Sequence, residues 1–385
     1  MMISMPWSAD YSFGAWHIRF PSEILTLLAG IALVYGLIRY PEWLQQLQGK
    51  RALFFLSVAW VVWLTVSLLL SSMPVESAKY WLVETGQWWV FFVGFCLFPG
   101  WWSRLLPLFI LSMGGIVLFT LAHHSLYNFR ADQSLLSPMP FFPDHTMYSA
   151  VLVMILPNLY IVFKRHTATI LLFLLVMGLF FAHCRAAWMS IGAASLLVLY
   201  MMFQAWRSKI VLVAGVLFCL LFPLRHRLAE KIQNDVSMQE RFNRYSCAVR
   251  MAKDRPLTGF GPGTFQFQYL PYQKPEEMTR ISVVDPERDI PLGQYGRGGG
   301  THSEYFQALA ENGWPGLFLW VSLVLFTIFT GINAYTSSKS REDQWIILAL
   351  TISLFTYFFH AFFNNFLHDG RIALLFWGQI GRSEK

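Results

Sequence analysis

The chain has 385 residues, of which 55% are hydrophobic and 13% charged. Soluble domains carry roughly a quarter of their residues as Asp, Glu, Lys and Arg, so this composition excludes an ordinary soluble protein and points to helices that cross a bilayer. The formal net charge of +7 matters less than where the basic residues fall, because Lys and Arg in short loops set orientation.

The first twenty residues include Asp10, His17 and Arg19 and lack a charged start followed by an apolar run, so no cleavable signal peptide is expected. Apolar runs follow at Ile24–Tyr40, Ala52–Leu70, Tyr80–Phe98, Leu105–Leu121, Met147–Phe163, Ala168–Ala182, Ala186–Phe203, Ile210–Leu224, Trp314–Ile332 and Trp345–Phe363. Each approaches the ~20 residues needed to span the hydrocarbon. A last run has only Ile372–Ile380 free of charge, so it is expected to be short, tilted or buried in protein.

One set of connections carries Arg39, Lys50, Arg51, Arg104, Lys164, Arg165, Arg207, Lys209, Lys339, Arg341, Arg382 and Lys385. The alternate set carries only Arg19, Lys79, Arg130, Arg185 and Arg371. The first set is expected inside, with the N-terminus outside. The expectation is an all-α polytopic membrane protein of about eleven transmembrane helices with one large, partly helical outer loop. It divides into a bundle of eight spans (1–224), the loop (225–301) and a C-terminal segment of about three spans (302–385). The loop, Arg225–Thr301, holds twelve Lys/Arg against nine Asp/Glu, and its start, Arg225–Lys253, is expected to be helical.

The stretch Gly298–Trp320 brings His302 out of a glycine run to a helix start, where His302, Phe306, Leu309 and Gly313 fall on one face, with Glu304 and Glu311 on another. Such an imidazole suits proton transfer at a membrane surface, although a polar residue capping a helix explains it equally well. Arg185 opens a span on the outer side, where a diphosphate or carboxylate partner accounts for it better than a snorkelling anchor does. Arg241 and Arg244 share a helix face and suit phosphate oxygens; Arg250 and Arg255 read as a solvated basic face. The turn through Gly259, Gly261 and Gly263 has the look of a phosphate cradle but lacks a strand–turn–helix setting.

Glu84 and Gln87 lie one turn apart within a span, and ionisable groups there are functional candidates. Asp144 and His145 open the fifth span, Asp144 also as a helix cap, and Asn364, Asn365, His368 and Asp369 crowd an outer corner. No HExxH, Cys/His cluster or dense carboxylate set is present, so no bound metal or cofactor is expected. Cys96, Cys184, Cys219 and Cys247 lack metal-ligand spacing, and a Cys184–Cys247 disulfide stays open.

Together these pieces resemble the O-antigen ligase and polymerase superfamily of bacterial envelopes. The signature after the loop reads His302-Ser-Glu-Tyr-Phe, then Glu311-Asn-Gly313-Trp-Pro-Gly316-Leu317. The loop pattern is matched by Arg241, Tyr245, Pro256-Leu257-Thr-Gly259-Phe-Gly261-Pro-Gly263-Thr-Phe265. Arg185-Ala-Ala and Asp144-His145-x-x-Tyr148 resemble the openings of two family helices. The likeness covers roughly residues 20–335. Tyr245 stands where the family usually has tryptophan, and members often have twelve spans.

The resemblance implies a GT-C-like protein of the bacterial inner membrane with its site facing the periplasm. Its activity would be an inverting, metal-independent glycosyl transfer from an undecaprenyl-diphosphate-linked glycan to lipid A–core, among membrane lipids and without nucleic acid. Carried over, His302 is the base and Arg185 and Arg241 hold the diphosphate. Arg244, Glu84, Gln87, Asp144, His145, Tyr148, Gly261, Gly263 and Glu311 are substrate-binding candidates. A polymerase extending a glycan acceptor, or a protein O-oligosaccharyltransferase, would use the same residues. A lipid-linked sugar flippase is disfavoured, because no internal repeat is evident and the polar groups sit at the outer edge.

Overall fold

The structure, a computed structural model, describes residues 1–13, 16–47, 52–212, 215, 235–279, 281–282 and 299–383. Within these the chain is mostly helical, as the apolar runs require. With no water to satisfy backbone polar groups in a bilayer, a spanning segment must close its hydrogen bonds on itself. Among the described residues six helices are long and apolar enough to cross: α1 (Ser22–Arg39), α2 (Ala52–Leu69), α4 (Gly100–Ser125), the Leu156-broken helix His145–Val162, α7 (Arg185–Met202) and α9 (Glu304–Ser337).

Between and after these lie α3 (Pro74–Gln87), α6 (Arg165–Phe181), α8 (Val236–Asp254), α10 (Arg341–His360) and α11 (Gly370–Ser383); α5 is the His145–Ile155 part of the broken helix. The expected span Tyr80–Phe98 begins earlier, at Pro74, where proline loses no hydrogen bond. It then passes through a π-helical segment, Trp88–Val93, into Gly94–Leu97. The run Met147–Phe163 breaks into a 3₁₀ turn at Leu156–Asn158, which contains Pro157. Most of the expected span Ile210–Leu224, the loop start 225–234, and Cys219 lie outside the described residues.

One feature departs from expectation. An antiparallel hairpin, β1 (Ala9–Phe13) and β2 (Trp16–Phe20), pairs Ala9 with Phe20 and adds strand to a chain read as all-α. Its alternation of Tyr11, Phe13, Trp16 and Ile18 with polar neighbours is a strand pattern too short to register among the long apolar runs. The last run does not meet lipid on all sides. In α11, Ile372, Leu375, Phe376, Trp377 and Ile380 are fully buried, packed against the Trp88–Val93 segment.

Helix α10 is the central post, packed on α5, α7 and α9, while α9 also packs on α2 and α8. Gly313, with φ +70°, breaks α9 into a short leg carrying Glu304–Asn312 and a long apolar leg. A side chain at Gly313 would collide with the Leu257 carbonyl, so glycine lets the Pro256–Leu257 backbone come against the helix here. Trp314 N–H then donates to the Pro256 carbonyl, 2.9 Å.

The N-terminal hairpin is pinned to the C-terminal helix by charge. Asp369 is fully buried and accepts from Arg19 (2.5 Å) and Arg371 (2.6 Å). Burial alone would push its carboxyl up, but the two guanidinium groups overcome this and hold it well below the usual carboxylate range. The stability it contributes is therefore present above the ordinary carboxylate pKa of about 4 and is lost only as pH falls well below it. Asp369→Asn should leave the buried Arg371 without its counter-charge and Arg19 with Asp10 alone, and lower stability by about 3–5 kcal/mol. Asp10→Asn, at the half-exposed partner of Arg19, should cost under ~1 kcal/mol. Thermal melts of both variants in detergent at pH 7 check the pair; equal, small shifts would show that the buried triad does not hold the ends together.

Candidate functional site

Helix α8 starts where Asp235 caps it, its side chain accepting from the Ser237 and Met238 amides at 3.1 and 3.3 Å. The same carboxylate pairs with Arg185 at 2.7 Å, so the first residue of α7 is tied to the start of the helix that carries Arg241. Arg185 leaves 72% of its side chain exposed. Arg241 is half-buried. Its Nη1 lies 3.4 Å from the Met238 sulfur, its Nε is buried with no partner, and among the described residues no carboxylate pairs with it. Burial, then the neighbouring Arg185, lower its affinity for the proton.

His302 does not open the helix. Ser303 is the cap, α9 begins at Glu304, and His302 stands one residue outside in the left-handed region, with φ +59°. The four-residue face expected for His302, Phe306, Leu309 and Gly313 therefore does not exist. A non-glycine residue in that region costs roughly 1–2 kcal/mol and persists only if its surroundings hold it. Here the Asn365 side chain accepts from the His302 amide (3.2 Å), and the Tyr245 hydroxyl is shared between the Phe362 carbonyl (2.8 Å) and the His302 carbonyl (3.2 Å). Among the described residues no group hydrogen-bonds its imidazole. Burial, Arg244 and Arg241 push that imidazole down to about 3, below the value near 6.5 that a base of ordinary strength has.

Arg241 links the cluster. It acts electrostatically on His302, on His145 and on His360, and it feels Arg185 and Cys184. The turn before α9, the middle of α8, the starts of α5 and α7 and the end of α10 thus meet at one end of the bundle. Sequence reasoning overlooked His360. It is fully buried, with Nδ1 3.1 Å from Asn364 Nδ2 and Nε2 3.9 Å from the Cys184 sulfur. Its apolar span hid it; the clue was the pair Asn364-Asn365 just beyond.

Other candidates sit elsewhere or have other tasks. Arg244 is buried against Glu240 (2.9 Å) and donates to the Gly300 carbonyl (2.7 Å), so it braces the glycine run. Gly261 and Gly263 form no phosphate cradle. The Gly263 and Phe265 amides donate to the Glu311 carboxylate at 2.8 and 2.9 Å, the Gly261 amide to the Glu311 carbonyl at 2.9 Å, and a side chain at Gly263 would strike Tyr80. Glu311 is 1% exposed and also takes Gln307 Nε2 at 2.5 Å.

Glu84 lines an internal cavity of about 20 Å³ with Glu304, Gln307 and Glu311, its nearest donor being Trp60 Nε1 at 3.4 Å. Gln87 donates to the His368 carbonyl, 3.0 Å. Asp144 caps α5, accepting from Thr146 and Met147 amides at 2.7 and 2.8 Å, and His145 beside it has a buried Nδ1 without a partner. Tyr148 is fully buried in the core, its ring 5.6 Å from that of Phe142, not at the cluster. Cys184 and Cys247 are free thiols, so that disulfide does not form. Among the described residues no group of three or more His, Cys, Asp or Glu is arranged to hold a metal.

A search of curated proteins finds no match to the chain. Residues 170–321, however, match the family model described as O-Antigen ligase. That stretch takes in Arg185, Arg241, Tyr245, His302 and Glu311, whereas His145 and His360 lie on either side of it. Over residues 170–321 the chain is O-antigen ligase-like.

Proposed function

We propose that the protein moves a glycan from an undecaprenyl-diphosphate-linked donor to lipid A–core at the periplasmic face of the inner membrane, by an inverting transfer that uses no metal. The acceptor hydroxyl attacks the anomeric carbon and gives its proton to His302. The bond from that carbon to the diphosphate oxygen breaks, and undecaprenyl diphosphate leaves with the electron pair. Arg241 and Arg185 stabilise the charge that builds on it. The leaving group is already a good one, so positioning and charge stabilisation matter more than acid help. The observation that carries this reading is the meeting of a hydrogen-bond-free imidazole with a half-buried guanidinium that has no carboxylate partner.

The low basicity of His302 fits this role in a particular way. In the free protein burial, together with Arg244 and Arg241, keeps it neutral, so it is ready to accept a proton but is a weak base. A bound diphosphate offsets those positive charges and strengthens it, so the base gains power when the donor is in place. The pH dependence follows. The acid limb of kcat/KM, which reports the free protein, should lie well below pH 6.5, and that of kcat should lie higher. Coincident limbs near pH 6.5 in both profiles would show that the arginines do not govern the imidazole.

His302→Ala should reduce transfer by about 10²–10⁴-fold with the protein still inserted in the membrane. Wild-type transfer by that variant in a complementation assay would end its assignment as the base. Arg241→Ala and Arg185→Ala should lower donor use by about 10²-fold. Lysine at either position should recover part of the loss, since it keeps the charge but not the fork. Equal losses in all four variants would point to misfolding. The lipopolysaccharide profile of a deletion strain names the acceptor: loss of all long chains with accumulated carrier-linked polymer fits a ligase, and single-repeat capping fits a polymerase.

A further inference from the structure

The loop between α10 and α11 lies beyond the matched residues 170–321, yet it grips the residue at the centre of the cluster. The turn that carries His302 is held from four directions. Arg244 takes the Gly300 carbonyl at 2.7 Å, and Gln307 Oε1 accepts the Thr301 amide at 2.9 Å. Tyr245 donates to the His302 carbonyl. The His302 amide itself goes to Asn365 Oδ1 at 3.2 Å.

Asn365 also faces Gln307 with its other end, Nδ2 lying 3.5 Å from Gln307 Oε1. It therefore sits between an N–H to be accepted and an oxygen that, besides the Thr301 amide, can take a second donor. Only a side-chain amide meets both demands; a carboxylate has no donor and an apolar group has neither. Gly300 must be glycine for this arrangement, because a side chain there would overlap both Asn365 and Gln307. The glycine run thus makes room for the amide that holds the histidine.

We propose that Asn365 is the positioning residue of His302: its amide fixes the left-handed turn, and so aims the imidazole, without touching substrate. The proposal rests on His302 being the base, and the experiment separates the two. The full chain is reconstituted in lipid vesicles, and transfer is measured at several pH values from a carrier-linked oligosaccharide to lipid A–core.

Asn365→Ala should lower kcat by about 10–100-fold, since misplacing a reacting group by an ångström has effects of that size, while the donor KM stays within about threefold. Combined with His302→Ala, it should add no further loss, because the residue acts only through the imidazole. Asn365→Asp keeps the acceptor for the His302 amide but sets a negative charge near the ring, which favours the protonated imidazole. The acid limb of its kcat profile should move up by about one pH unit.

If His302→Ala retains full activity, the base reading falls, and the positioning proposal with it. A dead His302→Ala beside an Asn365→Ala of normal kcat leaves the base in place and overturns the positioning. Additive losses in the double variant also overturn it, as they place Asn365 on a separate task. Should Asn365→Ala fail to accumulate in the membrane, Asn365→Asp decides: an unmoved acid limb overturns the proposal, and a raised one supports it.

Discussion

One buried carboxylate holds the Pro256–Phe265 turn, the bundle and the His302 turn together. Glu311 sits on the short leg of α9, nine residues after His302, and is almost fully enclosed. A carboxylate in such a place must be surrounded by donors, because the loss of water is otherwise far too costly. Its donors come from the Gly263 and Phe265 amides and from Gln307, and that requirement folds the Pro256–Phe265 turn onto the helix. Ser67 of α2 closes on the Glu311 carbonyl from the other side, 3.2 Å. Gln307 then passes the constraint to the Thr301 amide and to Asn365. The family-like pairing of a glycine turn with a later Glu is therefore explained by packing, and phosphate need not be involved.

The charges sort in the same way. Arg244 has Glu240, Arg250 has Glu277, and Arg19 and Arg371 share Asp369. Each of these arginines has its compensation inside the protein, and each has a structural task. Arg241 has none among the described residues, and Arg185 reaches only the cap of α8 while most of its side chain stays in solvent. A half-buried positive charge without a partner is unfavourable in a folded protein. Its persistence next to a neutral imidazole is what an anionic ligand would account for.

Much of this was legible in the sequence, and the limits have physical causes. Long apolar runs announce helices because a membrane leaves the backbone no alternative, so α1, α2, α4, α6, α7 and α10 fall within a few residues of their expected places. The π-helical segment and the break at Pro157 were not legible, since hydropathy is blind to how a helix is wound. The His302 turn was misread because spacing assumes that a helix has already begun. The left-handed φ at His302 comes from Tyr245 and Asn365, which lie 57 and 63 residues away. Arg244, Gly261, Gly263 and Glu311 carry chemistry-bearing side chains or amides that pattern alone cannot distinguish from a binding site. Their partners, found only in three dimensions, make them structural. His360 shows the opposite error: one titratable residue in an apolar run looks like filler until the fold sets it beside Arg241.

The strained turn and the weakened base belong to one arrangement. His302 is not part of α9, which begins at Glu304. One residue outside the helix, in the left-handed region, its backbone is held by Asn365 and Tyr245 and its ring is left unclaimed. The same placement sets the ring near two guanidinium groups, which together with burial keep it neutral. A free, neutral imidazole beside unspent positive charge suits a step in which a proton leaves a hydroxyl as negative charge gathers on an anion close by. In the proposed transfer each of the two charges would make the other easier to form, because the imidazolium would be stabilised by an anion held at the arginines.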